Sequence, residues 1–266
     1  MIEHPSWSDE ESFWVGATPL MYSADRLARA TREVDEISAL LGIDSPRRIL
    51  DLCCGPGRHS VELARRGHDV VGVDRTGPFV ETARAAARDA GVTPELLRAD
   101  AREFVCRPPA DVVLNLWTSF GYFPDPADNL LMLKNARASL ADGGVLMLQT
   151  RSRETYLSHH PVPRTWEERD GVLLLEESWV LDGWRRVAGR WVLVDAAGRR
   201  DYSWMAWLYT GDDLADLLLD AGFGSVELYG SFAGRPYDRD AKYLVAVART
   251  YPPHPRPGGG RPGVTS

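Results

Sequence analysis

The chain reads as an α/β protein. It predicts a seven-stranded, mostly parallel, doubly wound sheet, with a helical segment ahead of it and an inserted antiparallel β lid. Three observations lead there. Residues 49–74, ILDLCCGPGRHSVELARRGHDVVGVD, run as strand, tight glycine turn, helix and second strand, with Asp51 and Asp74 at the strand ends. Apolar runs and helical spacing then alternate up to residue 150, the pattern of successive βα units. Between residues 173 and 209, three apolar runs follow one another with turn residues between them, the pattern of an antiparallel meander.

Taken in order, Phe13, Trp14, Met21 and Tyr22 form an aromatic-rich approach to a helix over 24–41. Ser23 is its candidate N-cap, and Leu27, Ala30, Val34, Ile37 and Leu41 make its apolar stripe. The first strand ends in Asp51, Gly55-Pro56-Gly57 turn the chain, and a helix through Val61, Leu63 and Ala64 stops at Gly67. The second strand, 70–73, ends in Asp74. A helix over 82–90 stops at Gly91. A short third strand, 95–98, closes on Asp100-Ala101, and a fourth, 111–116, runs into Trp117–Tyr122. Leu130, Leu133, Ala136 and Leu140 mark a helix over 128–140. Asp142-Gly143-Gly144 turn into the strand 145–149.

The insert then contributes strands over 173–181, 185–194 and 202–209, joined by an Asp182-Gly183 hairpin and a longer turn at 195–198. A helix over 213–221 ends at Gly222, and strands over 225–230 and 242–248 close the sheet, joined by the loop 231–240. The expected organisation is a helical segment at 1–42, a cofactor-binding core at 43–150, the β insert at 151–210, the end of the core at 211–250 and a tail at 251–266. The proline- and glycine-rich tail is expected to be disordered and without function.

Composition narrows the function classes. At 266 residues, with 44% hydrophobic and 26% charged residues, the chain fits one large or two small soluble domains. A net charge of −7 and a pI near 5.4 speak against a nucleic-acid partner, which wants a basic face. No apolar run of about 18 residues predicts a membrane span. Residues 1–14 lack the basic and apolar regions of a secretion signal. Cys53 and Cys54 are adjacent at a strand end and Cys106 stands apart, so reduced thiols in a cytoplasm are expected rather than disulfides. No Cys-x-x-Cys or His-x-x-x-His spacing suggests a metal, and the His159-His160 pair reads as a solvated loop.

The glycine turn between two carboxylate-tipped strands suits a nucleoside-type cofactor lying across the carboxyl ends of a parallel sheet. Gly55 and Gly57 let such a ligand approach the backbone, and Asp74 is placed to accept hydrogen bonds from a ribose diol. A dinucleotide site would want G-x-G-x-x-G. This chain has G-P-G-R-H-S, with Ser60 at the third small position and Pro56 lacking an amide donor. The pattern D-x-C-C-G-x-G at 51–57 resembles motif I of the class I S-adenosylmethionine-dependent methyltransferases, written D/E-x-G-x-G-x-G, with Cys53 at the first glycine. L-A-D-G-G-V-L at 140–146 is similar to another piece of that family. The resemblance spans residues 24–250 and implies a Rossmann-like fold with S-adenosylmethionine as cofactor.

The resemblance also implies site residues. Asp74 would hold the ribose, and Asp100 with the Ala101 amide the adenine. Asn115 and Leu116 would lie beside the methyl group. The full cofactor set is Tyr22, Asp51, Cys53, Gly55, Gly57, His59, Asp74, Arg75, Asp100, Ala101, Asn115 and Leu116. In similar methyltransferases the N-terminal segment folds over cofactor and acceptor; plain packing on the sheet is the alternative. The acceptor candidates are Trp14, Trp117, Phe120, Trp204, Trp207 and Arg235, with Tyr237 beside Arg235. Six of nine tryptophans (166, 179, 184, 191, 204 and 207) fall in the insert, which reads as a lid over the acceptor or as a homodimer surface.

No indispensable acid or base is expected, although Tyr22, His59 and Tyr122 are the candidates. The expected reaction is methyl transfer to nitrogen or oxygen of a small molecule, with no nucleic-acid or membrane partner. Arg, Ala and Gly usage suggests a GC-rich bacterial source and specialised metabolism such as antibiotic biosynthesis. The alternatives are a nicotinamide-dependent oxidoreductase, an S-adenosylmethionine enzyme that transfers the aminocarboxypropyl group or cyclises the cofactor, and a non-catalytic S-adenosylmethionine-binding protein.

Overall fold

A computed structural model describes residues 10–159, 164–169 and 171–251. Residues 252–266 of the expected tail and His160 lie outside these residues. Three helices come first: α1 (Glu11–Met21), α2 (Ala24–Ala28) and α3 (Ala30–Leu41). The core follows as β1 (Arg48–Leu52), α4 (Arg58–Arg65), β2 (Asp69–Asp74), α5 (Gly77–Asp89), β3 (Glu95–Arg98), β4 (Ala110–Asn115), α6 (Pro126–Ala138) and β5 (Leu140–Thr150). Then come α7 (Arg153–His159) and four strands, β6 (Arg164–Arg169), β7 (Val172–Leu181), β8 (Arg186–Asp195) and β9 (Gly198–Trp207). The chain closes with α8 (Gly211–Asp220), β10 (Ser225–Tyr229) and β11 (Leu244–Arg249).

Seven strands form one sheet in the order β10-β11-β5-β4-β1-β2-β3. β11 runs antiparallel between β5 and β10, and the other pairs are parallel. The central strands are apolar on both faces because helices cover both, the expected pattern for a doubly wound sheet. Leu50, Leu52, Val71 and Val73 pack towards Met132 and Leu133 of α6 and Leu214 and Leu218 of α8. Ile49, Val70 and Leu114 face Val34, Ile37 and Leu41 of α3 and Leu63 of α4. Chain order reverses at β1, whose neighbours are β2 and β4, and the cleft opens at the carboxyl ends there.

The sequence did not predict α1. Gly16, Thr18 and Pro19 are weak helix formers, yet Phe13, Ala17 and Leu20 recur at helical spacing and are buried. The single helix expected over 24–41 is interrupted at Arg29, and Leu27 leaves the apolar stripe for solvent. Ser23 stands at the N-cap position of α2 but caps with no side-chain bond. β5 begins at Leu140, so Asp142–Gly144 form an irregularity inside the strand rather than a turn before it. The β8–β9 turn is tighter than expected: Asp195 pairs with Gly198 across two residues.

β6 to β9 form a separate antiparallel sheet in chain order. β6 was missed because RTWEER has no apolar alternation; it is a charged edge strand. The β7–β8 hairpin turns through Asp182, Gly183 and Trp184, all with positive φ. Helix α1 lies against this sheet. Phe13 stacks on Trp191 at 5.4 Å and meets Tyr202 edge-on at 5.3 Å. Gly16 has no side chain because the Tyr202 hydroxyl occupies that space.

Candidate active site

The turn after β1 runs through left-handed backbone. Cys53, Gly55 and Gly57 all have positive φ, at 63°, 56° and 82°. Cys53 therefore adopts a left-handed backbone where the related motif carries glycine, at a cost of about 1–3 kcal/mol. Gly57 leads into α4, and a β-carbon there would lie 2.6 Å from that of Ala83 on α5. The Cys54 amide bonds the Val73 carbonyl at 3.0 Å, so the turn is tied to β2.

Two buried carboxylates brace this turn. Asp51 is 2% exposed and accepts from the Ser60 hydroxyl at 2.5 Å, which holds α4 against β1. Burial pushes its pKa up, against the opposing pull of His59 and Ser60. Asp74 accepts from the Gly55 and Thr76 amides, each at 2.8 Å, and burial likewise raises its pKa. Asp74 thus shapes the glycine turn as well as facing the cleft. Burial also raises the Cys53 and Cys54 thiols, so both stay protonated.

Two cavities open over the strand ends. The first is lined by Tyr22, Asp74, Arg75, Asp100, Ala101 and Leu116, among others. The second lies under the four-stranded sheet, against Phe13, Phe120, Arg151, Trp191 and Trp204. Trp14, Met21, Arg58, Trp117 and Tyr122 line both, and so form the partition between them.

That partition is a stacked assembly. Trp117 packs on Tyr22 with ring centres 5.4 Å apart, and Arg58 lies over its ring at 4.7 Å. Phe79 meets Tyr22 edge-on at 5.4 Å. Glu33 of α3 sits 2.8 Å from Arg58 Nη2 and 2.8 Å from His59 Nε2, which anchors both residues at the start of α4. Burial pushes the Tyr22 phenol far above its ordinary value, and the Asp74 charge adds to the effect. Burial also raises Tyr122.

Of the residues expected at the cofactor, Tyr22, Asp51, Cys53, His59, Asp74, Arg75, Asp100, Ala101 and Leu116 line the first cavity. Gly55 and Gly57 form the turn behind it. Asn115 lies in neither lining; its amide donates to the Leu52 carbonyl at 3.0 Å and its buried Oδ1 has no partner. Asp100 is already gripped by Arg102, through Nε at 3.0 Å and Nη2 at 2.7 Å. Burial opposes ionisation of Asp100, but these bonds outweigh it and hold the carboxyl below its usual range.

Trp14 and Trp117 face both cavities; Phe120, Trp204 and Trp207 face the second. The Trp207 indole already donates to the Phe123 carbonyl at 2.9 Å. Arg235 is exposed and lines neither cavity, because its loop folds back on β10 and its carbonyl accepts from Gly230 at 2.8 Å. Tyr237 bonds Ser152 and Glu154 instead of facing the cleft. Sequence reasoning did not place Met21, Phe79 or Arg58 in the site. For Arg58, its position directly after Gly55-Pro56-Gly57 was an available signal.

A doubly wound sheet, a glycine turn and two carboxylates facing a cleft at the chain reversal define an enzyme that binds a nucleoside-type cofactor. Residues 49–144 match the methyltransferase domain family. A ubiquinone biosynthesis O-methyltransferase from Cereibacter sphaeroides is 28% identical over 211 residues, covering 76% of this chain and 73% of that one. A trans-aconitate 2-methyltransferase from Mycobacterium sp. is 32% identical over 53% of each chain. Among solved structures, an S-adenosylmethionine-dependent methyltransferase from Clostridium acetobutylicum superposes with a TM-score of 0.74 at 17% identity, covering 90% of this chain and 98% of its own. The sugar N-methyltransferase KedS8 from Streptoalloteichus does so at 0.63 and 24% identity, covering 84% of this chain and 87% of its own.

Residues 49–144 form a methyltransferase domain of the class I S-adenosylmethionine-dependent kind. Its cofactor is S-adenosylmethionine rather than a nicotinamide dinucleotide. The first cavity fits that group: Asp74, at the end of β2, lines it together with Tyr22, Arg75, Asp100, Ala101 and Leu116. Among the described residues no helix is long and apolar enough to cross a membrane.

Proposed function

We propose that the enzyme methylates a nitrogen or oxygen atom of a small molecule seated in the second cavity. The carrying observation is the partition: Trp14, Met21, Arg58, Trp117 and Tyr122 bound both cavities, so a group passed between them crosses there. S-adenosylmethionine supplies a methyl group on a positively charged sulfur, an electrophile with a good leaving group. Asp74 holds the ribose hydroxyls, and Ala101 with Asp100 borders the adenine. The Gly55–Gly57 turn takes the backbone-facing edge of the cofactor, and Tyr22 covers it from the N-terminal side.

The protein's task is alignment in a dry site, an effect of several kcal/mol. Neither Tyr22 nor Tyr122 is a suitable base, since burial raises both phenols. His59 is tied to Glu33 and serves the fold of the site. The 151–210 insert acts as a lid that selects the acceptor, with Trp191 and Trp204 on its inner side. Its outer side exposes Trp166 at 71% and Trp179 at 42%, which favours a homodimer contact there as a second role.

We place the enzyme in the cytoplasm and in bacterial specialised metabolism. The sugar N-methyltransferase KedS8 and CalS10, an amino pentose methyltransferase involved in calicheamicin biosynthesis, are structural neighbours and support that setting. The test is incubation with S-adenosylmethionine and a panel of amines, amino sugars, phenols and hydroxy acids, with products read by mass spectrometry. A one-methyl gain with release of S-adenosylhomocysteine supports the reading. A gain of the aminocarboxypropyl mass, a cyclised cofactor, or binding with no product across the panel counts against it.

A further inference from the structure

We infer that Gln149, which lines neither cavity, is the positioning residue that sets the partition between them. Trp117 and Thr118 both adopt left-handed backbone, with φ of 63° and 62°, and neither is glycine. Two such residues in succession persist only where neighbouring groups fix them. Gln149 does so twice. Its side-chain Oε1 accepts from the Trp117 amide at 2.9 Å, and its backbone carbonyl accepts from the Thr118 amide at 3.1 Å.

Gln149 can hold them rigidly because it is itself held. It lies near the end of β5, is 5% exposed, and pairs with Val245 of β11. The loop's own polar groups are turned inward: the Ser119 hydroxyl donates to the Leu116 carbonyl at 2.9 Å, and that of Thr118 to the Trp117 carbonyl at 2.6 Å. The far end of the loop is pinned to the insert, where the Trp207 amide bonds the Gly121 carbonyl at 2.7 Å. The Trp117 ring is thereby delivered onto Tyr22, which covers the glycine turn. Gln149 acts on the cofactor cavity through Trp117 and then Tyr22.

The inference rests on S-adenosylmethionine occupying the first cavity, and its test uses that cofactor alone, without an acceptor. Gln149→Met removes the acceptor oxygen at similar volume; Gln149→Glu keeps one. In protein shown to be folded by circular dichroism, Gln149→Met should weaken S-adenosylmethionine binding by about tenfold in calorimetry, the worth of one hydrogen bond. Gln149→Glu should restore most of it. Amide hydrogen exchange at residues 117 and 118, measured without cofactor, should accelerate in Gln149→Met while β1 and β2 keep their protection.

Unchanged affinity in folded Gln149→Met overturns the inference. So does exchange that rises equally in β1 and β2, or a folded Gln149→Glu that binds as weakly as Gln149→Met. If wild-type protein binds no S-adenosylmethionine, the cofactor reading fails, whereas the exchange comparison still decides whether Gln149 holds the loop.

Discussion

The Tyr22 hydroxyl lies 2.6 Å from the point where a β-carbon on Gly55 would stand. The two residues therefore fit only because one of them has no side chain. Gly55 also has φ of 56° and donates its amide to Asp74. A residue from the N-terminal helices thus closes directly on the glycine turn.

Gly55→Ala should accordingly weaken S-adenosylmethionine binding by tenfold or more, through a left-handed alanine and a clash with Tyr22, together roughly 1–3 kcal/mol. Removing the hydroxyl leaves the next ring atom 3.4 Å away, so Tyr22→Phe in the same chain should recover part of the loss. Isothermal calorimetry on the single and double variants checks this. Equal affinity in both would show that the hydroxyl contact is immaterial.

Asp74→Ala should cost more affinity than Asp100→Ala. Asp74 accepts two amide bonds within the turn and faces the ribose position, and bonds to a charged group are worth about 1.5–3 kcal/mol, or tenfold to a hundredfold. Asp100 already spends its carboxylate on Arg102. Binding titrations of the two variants would reverse this ranking if Asp100 were the main cofactor anchor.

Gly189→Ala should mimic the loss of Trp204. A β-carbon at Gly189 would run into the Trp204 indole, which lies flat across the strand. Acceptor turnover should fall by about tenfold in both Gly189→Ala and Trp204→Ala, while cofactor affinity stays within about twofold, since overpacking costs about 1–3 kcal/mol locally. Trp207→Ala should differ by disturbing both, because the Trp207 indole pins the loop through the Phe123 carbonyl. Loss of cofactor binding in all three would mark the insert as plain core.

Acid should strip stability through Glu33. Burial alone would raise its pKa, but the His59 and Arg58 interactions outweigh that and hold it below 4.5. A depressed carboxylate contributes stability above its unfolded pKa and loses it as pH falls through the folded value. Wild type should therefore exceed Glu33→Gln in denaturant midpoint at neutral pH, and the gap should close as the solution is acidified below about pH 4. A gap that holds constant across that range would refute the assignment.

Much of the fold was legible because β1, α4 and β2 obey local rules: apolar runs for buried parallel strands, glycine where the backbone turns left-handed, and carboxylates at strand ends. Asp74 was readable at the cleft for the same reason, whereas Trp117 was named only through the family resemblance of the segment after β4. Residues whose role depends on distant partners were not. Gln149 looks like any strand residue until Trp117 is folded back onto it, and Gly189 has meaning only beside Trp204 on the next strand. Arg235 misled because a basic residue in a loop between two core strands carries no sign of which way the loop folds. Cys53 concealed its left-handed backbone behind a side chain that seldom adopts one.

Helix α1 has its aromatic partners far away in the chain: the Tyr202 hydroxyl donates to the carbonyl of Ser12 at 3.2 Å, across 190 residues. On a ribosome that helix can meet Gly77 and Arg98 early through Glu11, but its Phe13 ring has no Trp191 or Tyr202 to pack on until β8 and β9 have been synthesised. Docking of that aromatic face therefore waits for the insert, as contacts of such separation are slow to close. Both cavities take walls from α1, through Trp14 and Met21. The nascent chain can thus pair β1 to β5 before either cavity has all its walls, whereas β10 and β11, made after the insert, complete the central sheet only later.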